Sequence, residues 1–164
     1  MSAQTVNTQL PGVTGWWDTT LRRSARTPCQ ARHAVRSWLG DAELELLDSA
    51  ALVVCELVTN VIRHVPAGAH RDWVTVRLGV ADDFVRLEVI DPGTTTSEPR
   101  FRPLKPGSMR QSGRGLGLVA VLAVRYGTER LANGHRVVWA DLASAAAFDT
   151  AVQEVREQFA PGRP

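Results

Sequence analysis

Along residues 41–65 the apolar side chains Leu47, Ala51, Val54, Val58, Val61 and Val65 recur at steps of three and four. That is the rhythm of a helix with one buried stripe. Asp41 is placed to open it as an N-cap and Pro66 to close it. TPCQARHAVRSWLG predicts a shorter helix upstream, with Thr27 as cap, Pro28 at the first helical position and Gly40 just past the end. Downstream the period changes to two. Val74, Val76 and Leu78, then Val85, Leu87 and Val89, alternate with other residues on either side of Ala81-Asp82-Asp83, which predicts a hairpin. GWWDTTLRRS predicts a first strand. Two late strands, near 128–131 and 136–142, meet at Asn133-Gly134, a tight-turn dipeptide. GLGLVAVLAVRYG predicts a helix opened by glycines and closed at Gly127, and a last helix is expected over 145–159. Hairpin-linked strands with helices to cover one face define an α+β class. The expected architecture is a two-layer α/β sandwich with a mostly antiparallel mixed sheet covered on one face by helices.

The polar stretches organise the chain around this core. Residues 1–14 are expected to form a loose arm, 15–160 a single domain and 161–164 a frayed tail. Residues 92–114, rich in Pro, Gly, Ser and Thr, form a loop long enough to suggest function. A length of 164 residues supports a full core without staples, and 44% apolar with 22% charged residues is a globular composition. The net charge of +2 by itself argues for neither nucleic acid nor a membrane surface. Cys29 and Cys55 lack metal-ligand spacing and read as reduced thiols. With no signal-like leader and no membrane-length apolar run, a cytoplasmic protein is expected.

Three stretches carry chemistry. In CELVTNVIRHV, Glu56 and Asn60 project together from the side of the long helix away from its stripe. An exposed Glu and Asn are ordinarily a solvated face. Here Leu52 and Val53 share that side, and a carboxylate beside an amide oxygen suits hydrated Mg²⁺. In LEVIDPG, Asp91 ends an apolar strand. It is either a turn aspartate satisfying its own backbone or an acceptor for an exocyclic amine, with Gly93 letting a flat ring approach. In QSGRGLGLVAV, Gly113, Gly115 and Gly117 precede a helix whose free amides favour an anion. The loop before it carries Arg100, Arg102, Lys105, Arg110 and Arg114 against one acid, Glu98, which suits closure over a polyphosphate. GxxxxGK[ST] is absent, and the glycines do not follow a strand as a dinucleotide fingerprint requires.

The order of these three stretches resembles the N box and the two glycine boxes of the ATPase superfamily that includes gyrase, heat-shock chaperones, histidine kinases and mismatch-repair proteins, the Bergerat ATP-binding fold. ELVTNVIRH and GHRVVWADL are most similar to stand-alone anti-sigma factors of the serine-kinase type, and the resemblance spans roughly residues 18–142. It implies ATP and Mg²⁺ as ligands, Asn60 as the residue ligating Mg²⁺ and Glu56 as general base for the acceptor hydroxyl. It implies Asp91 on the adenine amine with Gly93 beside the ring, and Arg63, Arg114, Gly115, Leu116, Gly117 and Leu118 as further nucleotide-binding positions. A sigma factor and an antagonist protein are the implied partners, with phosphotransfer to serine or threonine. The chain departs from the pattern at Thr94-Thr95-Thr96, where a second glycine would stand, and at Arg136, where relatives often carry threonine near the adenine; Thr128 is a candidate substitute hydroxyl.

Other readings compete. A binding module would keep the fold and act through protein contacts only. An orphan histidine-kinase domain would use His33, which otherwise reads as a surface histidine, and His64 reads as a partner of its helix dipole. Direct nucleic-acid or membrane contact is not expected. Trp16 and Trp17 cannot both face inward from one strand, which leaves one available for an interface such as a homodimer.

Overall fold

The computed structural model describes residues 10–102 and 115–144. Most of the arm, the lid beyond Arg102 and the expected last helix fall outside these residues. The elements are β1 (Val13–Arg22), α1 (Thr27–Leu39), α2 (Leu44–His64), β2 (Trp73–Ala81), β3 (Phe84–Asp91), α3 (Gly115–Leu122), β4 (Arg125–Arg130) and β5 (Arg136–Ala143). The five strands form one sheet in the order β1-β2-β3-β5-β4, and every neighbouring pair is antiparallel. Among the described residues the sheet is antiparallel throughout, and the class is the expected α+β two-layer sandwich.

Period-two alternation sorts the sheet into two faces. Val74, Val76 and Leu78 of β2, Val85, Leu87 and Val89 of β3, and Val138, Ala140 and Leu142 of β5 join one core with Val53, Val54, Leu57, Val58 and Val61 of α2. Ala31 and Val35 of α1 and Leu116 and Val119 of α3 complete it. The buried arc of α2 is wider than the single stripe its sequence suggests, because the helix packs against the sheet and against α1 and α3 together.

The opposite face is polar yet largely buried. Arg77 pairs across β2–β3 with Glu88 at 3.0 Å, and Arg86 pairs across β3–β5 with Asp141. Trp16 lies over the Arg77 guanidinium at 4.3 Å and Trp139 over that of Arg86 at 3.9 Å, each a cation–π contact. Gly79 and Gly127 leave room for the two indoles, since a Cβ at either would lie within 3.0 Å of the ring. Trp16 and Trp17 do take opposite sides of β1, and Trp17 is partly exposed.

Element ends differ from the sequence expectation where long-range bonds intervene. Thr27 is the first residue of α1 rather than its cap. Its hydroxyl donates to the Arg22 carbonyl at 2.8 Å and ties the end of β1 to the helix start. Helix α2 begins at Leu44, three residues beyond Asp41, with Glu43 preceding it and no side-chain cap bond. Helix α3 ends at Leu122 instead of running to Gly127, because the Val124 amide donates to the Asp141 backbone carbonyl at 2.9 Å and the chain enters β4. Gly40 and Pro66 mark the ends of α1 and α2 as expected. Among the described residues no helix is long and apolar enough to cross a membrane.

Leu57 is fully buried at the centre of α2. Leu57→Ala is expected to lower unfolding free energy by about 2–5 kcal/mol in denaturant titration. Burial raises the Glu88 carboxyl above its ordinary 4.5, against the pull of Arg77 and Arg86. A folded value above the unfolded one means that this group's contribution is fully present below the unfolded pKa and is lost as pH rises through the folded one. Thermal melts of Glu88→Gln should therefore show a flatter stability profile than the wild type just above the ordinary carboxylate range.

Candidate functional site

The core-facing columns of the sheet do not stay apolar to their ends. Val85, Leu87 and Val89 are followed on the same face by Asp91. On β5, Leu142, Ala140 and Val138 lead in the same way to Arg136, and the register sets Arg136 directly opposite Asp91. Both are buried to within 1% of full. Arg136 donates from Nη2 at 3.0 Å and from Nε at 3.2 Å to Asp91 Oδ2, while Asp91 Oδ1 accepts the Gly93 amide at 2.6 Å. A buried carboxylate and guanidinium at this distance are tolerated because each supplies the other's partner.

Above this pair lies a cavity of about 320 Å³, lined from α2 by Glu56, Thr59, Asn60, Arg63 and His64. Gly115 and Leu116 of α3 close one end, Thr96–Arg100 the side, and Arg136 contributes from the sheet. The volume falls at the lower end of small-molecule sites. Helical spacing brings Glu56, Asn60 and Arg63 to one wall, since steps of three and four share a face. A Cβ added to Gly115 would lie 3.2 Å from Glu56 Oε2, so the carboxylate sits directly against the start of α3. The Asn60 amide nitrogen is buried and has no hydrogen-bond partner. Arg23 steadies this wall from behind, donating from Nη2 to the carbonyls of Ile62 and Val65 at the end of α2.

The turn after Asp91 is fastened by arginines. Arg71 donates to the Gly93 carbonyl, Arg130 to the Thr94 carbonyl at 3.0 Å and to Glu98 at 2.6 Å, and Arg136 reaches the Ser97 carbonyl at 3.4 Å. Gly93 has φ +75°, and a Cβ there would run into the Gly134 carbonyl oxygen. Its freedom is thus used to pack the turn on the Asn133-Gly134 hairpin.

Of the expected site residues, Glu56, Asn60, Arg63, Gly115 and Leu116 share the cavity, joined by His64, Thr96, Glu98, Arg100 and Arg136, which the sequence had raised in other connections. Asp91 and Gly93 are buried at its floor behind Arg136 and do not line it. Gly117 is buried within α3, Leu118 is half-buried beside it, and neither lines the cavity. Arg114 lies outside the described residues. Thr128 bonds the Val137 carbonyl at 3.2 Å and His33 is exposed on α1, both away from the cleft. Sequence reasoning missed Thr59, Ser97 and Arg71. Thr59 was recoverable from its helical step to Glu56; the other two depend on loop paths that leave no local pattern.

A helical wall bearing Glu and Asn, a glycine-started helix and an aspartate-ended strand on one antiparallel sheet define a class of nucleotide-cleft domain. The family model described as the histidine kinase-like ATPase domain matches residues 22–155, and the chain belongs to that family. Membership makes it an ATP-binding type of domain. No match was found among curated proteins. Among solved structures, the RsbU and RsbW domains of Rv1364c from Mycobacterium tuberculosis are similar in fold, with TM-score 0.58 and 20% identity. The match covers 79% of this chain and 33% of that one, so this chain spans about a third of that chain's length.

Gly93→Ala is expected to destabilise the protein by about 1–3 kcal/mol or more, from the positive φ and the clash with Gly134 together. Urea unfolding of the variant against wild type measures it.

Proposed function

We propose that the protein binds Mg-ATP in the α2–α3 cleft and acts as an anti-sigma regulator in the cytoplasm that phosphorylates a serine or threonine of an antagonist protein. The observation that carries this reading is the convergence of Glu56, Asn60 and the Gly115 helix start on one cavity. The family match supports the nucleotide, and the fold shared with an RsbW domain supports the regulatory setting.

The residues fit the ligand in their donor chemistry. The Asn60 amide nitrogen, a donor, is buried without a partner at the cavity wall and suits a phosphate oxygen, while the amide oxygen is of the type a hard cation takes. Among the described residues no group of three His, Cys, Asp or Glu side chains could hold a metal, so Asn60 would share a magnesium ion with the nucleotide phosphates rather than complete a protein-only site. Bound Mg-ATP supplies the transferable phosphoryl group and neutralises its charge. Glu56 accepts the proton of the incoming hydroxyl, held in place by the α2 backbone and by Gly115 in front of it. The free amides of the α3 start, from Gly115 and Leu116 at the cavity and Gly117 and Leu118 behind them, would hold phosphate, with Arg63 and Arg114 as the added charges. Asp91 would take the exocyclic amine of adenine, with Gly93 beside the ring, in place of the Arg136 guanidinium.

A second reading has one observation in its favour. Asp91 is already paired with Arg136, which favours a domain that works through protein contacts with little phosphotransfer. Glu56→Gln separates the two. For a kinase, Mg-ATP affinity by calorimetry should stay close to wild type while transfer of labelled phosphate to the antagonist drops about 100-fold or more. Equal loss of binding and transfer rejects Glu56 as the base. Tight nucleotide binding by wild type without any transfer selects the binding module.

A further inference from the structure

The guanidinium of Arg136 occupies the group that a nucleotide ring would need. Asp91 Oδ2 takes two donors from Arg136, Asp91 Oδ1 takes the Gly93 amide, and the carboxylate is 0% exposed. Arg136, and not Asp91, reaches the cavity surface. Its Nη1 also holds the Ser97 carbonyl at 3.4 Å, within the turn that Arg71 and Arg130 fasten at Gly93 and Thr94. Arg136 stands between Asp91 and the cavity, so an exocyclic amine entering from the cavity meets Asp91 where Arg136 now sits.

We propose that Arg136 is a latch on the ring end of the cleft. Its side chain must swing off Asp91 and release Ser97 before an aminopurine can be read there. This rests on the nucleotide-binding reading above and adds a specificity-determining residue to it. The latch acts on the ring alone, because the phosphate end is built from α2 and the start of α3, on elements other than the sheet. It lowers affinity for the aminopurine nucleotide by the work of parting a buried ion pair, since a buried charge left without its partner is costly.

Arg136→Thr tests the proposal. Threonine suits a strand end, is far smaller, and leaves a hydroxyl for Asp91. Mg-ATP affinity measured by calorimetry should rise about tenfold or more, the worth of one freed charge-assisted hydrogen bond. Affinity for Mg-tripolyphosphate, which has no ring, should not change, and Mg-GTP, which lacks the exocyclic 6-amine, should gain little. The double variant Arg136→Thr with Asp91→Asn should lose the gain. Arg136→Lys keeps the charge without the planar fork and should give a smaller gain in the same direction, which keeps the test open if the threonine variant folds poorly. Tight Mg-ATP binding by wild type that neither substitution improves overturns the latch and leaves the nucleotide reading standing. A wild-type preference for Mg-GTP lost in Arg136→Thr overturns it too, since Arg136 would then be a ring-reading donor that stays in place. Absence of any nucleotide binding in wild type and both variants removes the latch and the nucleotide reading together.

Discussion

Helix α2 meets two opposite demands along its 21 residues, and the molecule is arranged around that constraint. Ala50, Val53, Val54, Leu57, Val58 and Val61 are buried against the sheet and the flanking helices, which leaves only a narrow arc free. Glu56, Thr59, Asn60 and Arg63 occupy that arc because steps of three and four return to one side. The apolar packing that stabilises the fold thereby also immobilises the wall of the cleft, as a precise site requires. Arg23 completes the arrangement by bonding carbonyls that the end of the helix leaves unpaired.

The sheet meets this wall with a buried ion pair. Apolar columns on β3 and β5 run under α2 and end together in Asp91 and Arg136, where the core gives way to the cavity. Charge at such a place is costly unless compensated, and the Gly93 amide and the Arg136 fork use both carboxylate oxygens. The surrounding turn is held by arginines on its carbonyls rather than by a helix or strand. Its shape therefore depends on side chains contributed from distant positions.

The two faces of the sheet show how one backbone separates two chemistries. Valine and leucine face the helices, while Arg77, Glu88, Arg86 and Asp141 form a cross-strand ladder on the other side beneath Trp16 and Trp139. The ladder lies on the face away from α2, so the chemistry of the cleft is confined to the helix side.

Local periodicity made much of this legible in the amino-acid sequence. The three-four rhythm of α2, the alternation of β2 and β3, and the Asn133-Gly134 turn are each written in a few neighbouring residues, and the structure has all three. The shared side of Glu56 and Asn60 was equally local, because helix geometry alone sets it. Where long-range bonds compete, local reading failed: α3 looked as if it should continue to Gly127, yet pairing of β4 with β5 draws the chain away after Leu122. Short-range patterning was thus enough for the type and order of the described elements and for the shared side of Glu56 and Asn60, though not for every element end. Only tertiary structure set Arg136 on Asp91, since those residues lie 45 positions apart and meet through the β3–β5 register, which no short stretch of the chain encodes.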